Sequence, residues 1–314
     1  PDALFRKRTH FFVFAETLLP VPFLSYLRMD YNAFALNPRL TSKQKSVTKI
    51  HKYRREFMDL GLKGKVVVVT GGSAGIGFAT AKAFLAEGAR LAVCARHQDG
   101  VEEAVRSLGA DVFGLAADMT QEAQVYEFAR AVAAHFGKID VWVNNVGASI
   151  PRKDQWYSGE EIDRSYEVCF KSVVMGSQAA IPYLKETKGV IVNVASLAAR
   201  CATSGRASLY GPLKSAVVNY TNTFAGEVAA YGVRVVCVMP GFTLTPLVAA
   251  GIAPADLERN VHETLLRRAA MPEEIAAPIV FLASGKASYM TSTTVEVSGG
   301  RSTVLNPGFS YEKQ

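Results

Sequence analysis

Val66-Val67-Val68-Val69 is a β-branched run that suits a strand buried on both faces. It leads directly into Thr70-Gly71-Gly72-Ser73-Ala74-Gly75-Ile76-Gly77. A helical pattern from Phe78 to Glu87 follows, closed by Gly88. Strand, glycine turn and helix in this order let the backbone approach a pyrophosphate, and the helix start offers it N–H groups and positive dipole. Gly71, Ser73, Gly75, Ile76 and Gly77 are therefore the first candidate cofactor-binding residues. The spacing is Gly71-x-x-x-Gly75-x-Gly77, and Thr80 stands where the generic G-x-G-x-x-G fingerprint would place its last glycine.

The alternation continues along the chain. Strands are expected near 65–70, 90–95, 111–116, 139–144, 189–195, 233–239 and 293–297, with helices between them. Such a βαβ order implies a parallel sheet covered on both faces. The stretch 64–314 has a normal size for one doubly wound α/β domain. Residues 1–63 stand outside the pattern and form an N-terminal extension.

Tyr210-Gly-Pro-Leu-Lys214 is the candidate for chemistry. Residues four apart on a helix share one face. An ammonium beside a phenol favours the phenolate, so the pair can exchange a proton with a carbonyl or alcohol oxygen near neutral pH.

Further motifs follow in order. Asp118 comes after Gly114-Leu115-Ala116-Ala117, and Asn144-Asn145-Val146-Gly147 ends the strand Ile139–Val143. Ser196 ends Val190–Ala195, Pro240-Gly241-Phe242-Thr243-Leu244-Thr245 follows Val233–Met239, and Thr294–Val297 precedes Gly299-Gly300. With the glycine turn and the Tyr–Lys pair, these motifs resemble the short-chain dehydrogenase/reductase family from about Lys65 to Arg301. The resemblance implies a seven-stranded Rossmann domain and direct hydride transfer between a nicotinamide and a ketone or secondary alcohol. It also implies that Ser196 polarises the substrate oxygen, that Tyr210 donates or accepts the proton, and that Lys214 supports Tyr210 and holds the nicotinamide ribose. By the same resemblance Asp118, Met119, Asn145, Gly147, Pro240, Gly241, Thr243 and Thr245 line the cofactor.

The nicotinamide is expected to be NADP(H). An acid at the end of the second strand would bind a ribose 2′-hydroxyl and favour NAD. Here Ala95 occupies that position and Arg96 follows, a guanidinium placed to pair with a 2′-phosphate. The Ser73-Ala74 step carries no basic residue of the kind many NADP-dependent relatives have.

Three positions depart from the family pattern. Cys169 falls where the family carries an asparagine in its proton relay. The interval from Ser196 to Tyr210 is one residue longer than the family norm. Pro212 lies between Tyr210 and Lys214, which is compatible with a helix only if it begins close to Tyr210. A binding or scaffold protein that kept the fold but lost efficient turnover is the alternative that Cys169 suggests.

Charge is unevenly placed. Of 35 Lys+Arg and 28 Asp+Glu, 12 and 5 precede residue 64, so the rest of the chain carries 23 of each. The basic extension, with Phe11, Phe12, Phe14, Phe23 and Leu24, reads as an arm over its own domain or a neighbouring subunit. The alternative is peripheral membrane contact, with a membrane-associated ketolipid reductase as the corresponding function. Thr41 to Leu60 reads as a basic helix. No nucleic-acid-binding fold is visible, and the scattered cysteines and histidines show no metal-ligand spacing. The cysteine pattern fits a reducing cytoplasm. Helices at 160–185 and 208–230 are expected to form homodimer or homotetramer faces, with Gly176, Ala179, Ala180, Ala225, Ala229 and Ala230 allowing close packing. Leu247 to Glu263 reads as a mobile apolar lid suited to a steroid, 3-oxoacyl or terpenoid substrate. Arg200 and Arg206 read as solvated loop charges, with an anionic substrate tail as their alternative partner.

Overall fold

The computed structural model describes residues 59–314 apart from 110, 203, 204, 206, 302, 305, 310, 313 and 314. The readings of the arm, and that of Arg206, lie outside the described residues. Among the described residues seven strands form one sheet: β1 Val66–Thr70, β2 Arg90–Ala95, β3 Phe113–Ala116, β4 Val141–Asn144, β5 Val190–Val194, β6 Arg234–Pro240 and β7 Thr293–Val297. Their order is β3-β2-β1-β4-β5-β6-β7, and every neighbouring pair is parallel. The chain leaves β1 in one direction across the sheet and returns through β4 in the other. That reversal opens a crevice at the carboxyl ends of β1 and β4, where ligands bind in doubly wound sheets.

The valine run shows why both faces are covered. Side chains alternate along a strand, so Val66 and Val68 enter one core and Val67 and Val69 the other, all fully buried. Helices α3 (Glu122–Phe136), α5 (Ser172–Thr187) and α6 (Tyr210–Val228) cover the first face with Phe128, Leu184 and Phe224. Helices α1 (Gly75–Ala86) and α9 (Pro272–Ala283) cover the second with Phe84, Ile275 and Ile279. Helix α2 (Gln98–Leu108) follows β2, and α4 (Gly159–Tyr166) precedes α5. Each fully buried valine contributes about 1.5–3 kcal/mol over its exposed state.

Two polar clusters fix the sheet. At its amino-terminal edge Asp140 accepts from Val66 N (2.9 Å), Lys65 Nζ (3.0 Å) and Lys138 Nζ (2.7 Å). Burial alone pushes this carboxyl up, but the hydrogen bonds from Lys138, Val66 and Lys65 outweigh it and hold it below its ordinary range. Inside the first core Asn144 accepts from Trp142 Nε1 (2.8 Å) and donates to Ser177 Oγ and Asn193 Oδ1 (both 2.9 Å). Asn193 in turn donates to Thr221 Oγ1 (2.9 Å), so β4, β5, α5 and α6 share one satisfied network.

This network corrects part of the reading of the subunit faces. A Cβ at Gly176 would run into Asn144 Oδ1, and Ala179, Ala180 and Ala225 are buried inside the subunit. Their small size lets α5 and α6 seat on their own sheet. Exposed apolar side chains nearby include Ile162 and Tyr166 on α4 and Tyr126 on α3. Among the described residues no helix is long and apolar enough to cross a membrane.

Candidate active site

The glycine turn adopts the geometry that its composition requires. Gly71 and Gly75 have φ of 63° and 54°. A Cβ at Gly77 would collide with the Gly71 carbonyl, so only glycine lets α1 begin so tightly against the turn. Helix α1 starts at Gly75, three residues before the apolar pattern. Its N-cap, Ala74, supplies no side-chain bond and its first turn carries no acid. The leading N–H groups therefore face the crevice without a capping side chain, as an anion site needs. Thr80, in the fingerprint's last glycine position, is fully buried, and its hydroxyl has no partner among the described residues.

Asn145 ties this turn to β4. Its amide Nδ2 donates to the carbonyls of Thr70 (3.1 Å) and Gly71 (3.2 Å). Its backbone N–H donates to Thr70 Oγ1 (3.0 Å), which itself donates to Val143 O (3.1 Å). Thr70 is thus a second clamp that spacing alone did not single out. Gly72 N donates to Cys94 O (3.1 Å), which fixes the turn against the end of β2. Arg96 stands exposed just beyond that end, next to Ala95.

Asp118 and Met119 are less simply placed. Asp118 Oδ1 accepts from Thr120 N (2.9 Å) and Thr120 Oγ1 (2.8 Å), an Asx turn leading into α3. The other carboxylate oxygen is the one available to a nucleotide. The Met119 side chain is sunk in the core, where its sulfur accepts from the Cys94 thiol (3.6 Å), so only its backbone can serve a cofactor. Burial pushes the Cys94 thiol up to about 12 and the Cys237 thiol up to about 11, which makes both unreactive.

Ser196, Tyr210 and Lys214 are brought in by β5 and α6. Ser196 lies two residues beyond the end of β5, and its Oγ accepts from Ala198 N (3.2 Å). Helix α6 begins at Tyr210, so Pro212 occupies the first turn, where its missing N–H costs nothing. That turn rests on the segment after Ser196. A Cβ at Gly211 would lie 2.8 Å from Ala198 O, and Ser215 Oγ donates to Ala199 O (2.6 Å). Lys214 is 2% exposed and donates to Val194 O (2.8 Å). Its Nζ lies 5.8 Å from the Tyr210 ring centroid and abuts the backbone of Gly147. An ammonium has three donors, and burying it is costly unless they are used. One carbonyl uses one of them, so the site is built for a further acceptor beside Gly147.

Cys169 lies in a π-helical turn, Glu167–Lys171, that joins α4 to α5. It is buried, and its thiol donates to Ala148 O (2.9 Å). The thiol therefore holds the segment on which Lys214 rests. No compositional signal marks such an inserted turn, which commonly accompanies functional sites.

The segment after β6 closes the crevice. A Cβ at Gly241 would lie 2.6 Å from Ser298 Cα, and Gly241 N donates to Val297 O (2.9 Å). Thr243 is buried and bridges to Ala270. Thr245 caps helix α7 (Pro246–Gly251) by accepting from Val248 N (3.3 Å). Its Cγ2 would lie 3.3 Å from a Cβ at Gly75, which brings this segment against the glycine turn. Arg200, read from sequence as a solvated charge, is 63% exposed and also pairs with Glu296 of β7 (2.8 Å). The loop 200–209 is also tied across the site mouth, through Arg152 Nη1 to Gly205 O (3.0 Å) and Leu209 N to the Tyr157 hydroxyl (3.5 Å).

The glycine cradle, the uncapped helix start and the buried ammonium fit a dinucleotide. The sequence model of the family described as enoyl-(acyl carrier protein) reductase matches residues 71–302. A 3β-hydroxysteroid dehydrogenase 1 of Eggerthella lenta is 35% identical over 257 residues, covering 80% of this chain and 97% of its own. A tropinone reductase-like 3 of Erythroxylum coca is 33% identical, covering 80% and 98%. The solved Pseudomonas aeruginosa RhlG/NADP active-site complex has a TM-score of 0.73 at 28% identity, covering 77% of this chain and 98% of that one. The chain belongs to the short-chain dehydrogenase/reductase family of oxidoreductases, which act on CH–OH and C=O groups.

Proposed function

We propose that this enzyme moves a hydride between NADP(H) and the carbonyl or carbinol carbon of an apolar substrate, with Tyr210 handling the proton. The observation that carries the reading is Lys214, a buried ammonium set between Val194 O, Gly147 and the Tyr210 ring. The bound nicotinamide supplies or takes up the hydride. The chain's own groups do the rest. Ser196 Oγ accepts from Ala198 N, which leaves its hydroxyl proton to donate to the substrate oxygen. Tyr210 passes the proton to that oxygen in reduction and takes it back in oxidation. Lys214 offers its remaining donors to the ribose and its charge to the phenol oxygen.

Preference for NADP(H) rests on Arg96, exposed at the end of β2 with no carboxylate at Ala95 to repel a 2′-phosphate. Similarity to a fold solved as an NADP complex supports the same reading. An apolar substrate of steroid, 3-oxoacyl or terpenoid type fits the lid, where Leu247 is largely exposed. One relative is named for a hydroxysteroid. A homodimer or homotetramer would cover Ile162 and Tyr166, and the free cysteines suit a reducing cytoplasm.

The test is initial-rate oxidation of NADPH and of NADH against a panel of apolar ketones, with wild type and Arg96→Glu. The reading expects turnover with NADPH, and a marked fall in NADPH affinity in the variant with little change for NADH. No turnover of any ketone would refute the activity. Equal use of both cofactors by wild type would refute the cofactor preference alone.

A further inference from the structure

We infer that the C-terminal tail braces the flap 245–268 over the cofactor crevice, and that Glu263, Arg301 and Tyr311 are positioning residues for substrate binding; the substrate half rests on the function proposed above, the bracing on geometry alone. The flap leaves and rejoins the domain at one place. Leu244 N donates to Ala270 O (2.8 Å) and Ala270 N to Phe242 O (3.0 Å). Between these bonds lie α7 and α8 (Pro254–His262), and neither contributes a buried residue. Leu247 is 84% exposed. Core packing therefore does not hold α7 and α8 in place, although Thr264 beyond them is buried, and such segments are drawn from the least stable parts of a fold.

Its near end touches the chemistry, since Thr245 lies against Gly75 of the glycine turn. Its far end is held by residues beyond β7. Leu265 N donates to Gly299 O (2.9 Å). Arg301 gives Glu263 Oε2 two hydrogen bonds, from Nε (2.9 Å) and from Nη2. The Tyr311 hydroxyl donates to Leu265 O (2.7 Å). Arg267 lies over the Tyr311 ring at 4.7 Å, and its guanidinium also donates to Pro307 O (3.3 Å) and His262 O (2.6 Å).

Arg267 adopts a φ of 53°, a left-handed conformation that a long side chain seldom takes and that surrounding contacts must impose. The tail supplies the Tyr311 ring and Pro307 O, and the flap itself supplies His262 O and Thr264 O. The tail thus decides how far α7 and α8 stand from the crevice. Releasing it should weaken substrate binding more than the chemical step, because the residues around Tyr210 are anchored independently by β5 and α6.

The test uses the full chain without cofactor. Trypsin cleavage after Arg259, on α8, is timed for wild type, Tyr311→Ala, Tyr311→Phe and Glu263→Gln. KM and kcat for a ketone turned over with NADPH are then measured for each. Cleavage several-fold faster in Tyr311→Ala and Glu263→Gln is expected, with Tyr311→Phe between them and wild type. KM should rise several-fold while kcat stays within about twofold. Unchanged cleavage would overturn the brace, and faster cleavage with unchanged KM would overturn its role in substrate binding. If Tyr311→Ala fails to fold, Tyr311→Phe and Glu263→Gln carry the same comparison. Absence of turnover in wild type would refute the proposed function while the cleavage result still stands.

Discussion

The Lys214 ammonium rests directly on the backbone of Gly147: a Cβ at that glycine would lie 2.8 Å from Nζ. Val194 O holds the same ammonium from the other strand at 2.8 Å. A methyl group at residue 147 must push Nζ off this seat. Gly147→Ala is expected to fold, since the group displaced is the far end of a side chain, yet to lose activity. Misplacement of this order costs about 10²-fold in rate. Melting temperature and kcat, measured together, check this, and full activity would show that the seat is not needed.

Cys169 acts on the same seat through Ala148. Its thiol donates to Ala148 O at 2.9 Å from inside a π-helical turn. Cys169→Ser keeps a donor of nearly the same reach, whereas Cys169→Val keeps the bulk and removes the donor. The serine variant is expected to stay near wild-type kcat and the valine variant to fall several-fold. A net hydrogen bond of about 1 kcal/mol sets the accompanying loss of stability. The reverse order of the two variants would show that Cys169 matters only as filling.

Asp140 makes stability depend on pH at the acid end. Its carboxyl is held below the ordinary value of 3.8 despite burial, by Lys138, Val66 N and Lys65. A group whose folded-state value is depressed stabilises fully above its unfolded value and loses that contribution as pH falls through the folded one. The melting temperature is therefore expected to decline below pH 3.8 more steeply in wild type than in Asp140→Ala. At neutral pH the variant should lose about 2 kcal/mol, chiefly from the unpaired Val66 N–H. Parallel thermal melts across acid pH check both.

The parts of this molecule legible in its sequence are those set by local geometry. The valine run suited a strand covered on both faces, and Gly71, Gly75 and Gly77 suited a turn of close backbone approach, as both proved to be. The interval from Tyr210 to Lys214 placed both on one helical face, and that helix begins at Tyr210 as Pro212 required. What escaped the sequence depends on partners distant in the chain. Nothing around Cys169 announces an inserted turn, because such a turn is a packing compromise of the whole helix. Gly176 and Ala180 looked like residues for a neighbouring subunit, but Asn144 on β4 lies against Gly176 and Ala180 is buried in the first core, so both serve their own sheet. The partners of Arg267 at Pro307 and Tyr311 lie 40 residues and more away, beyond the reach of any local pattern.

In the proposed reaction the Tyr210 hydroxyl transfers the proton at a carbon receiving hydride. Tyr210→Phe deletes that one oxygen and leaves the ring against Lys214. NADPH oxidation by an apolar ketone, measured with wild type and Tyr210→Phe at matched cofactor saturation, tests it most directly. The account predicts a fall in kcat of about 10²-fold or more, with cofactor affinity nearly unchanged. A Tyr210→Phe enzyme that turns over as fast as wild type would contradict it.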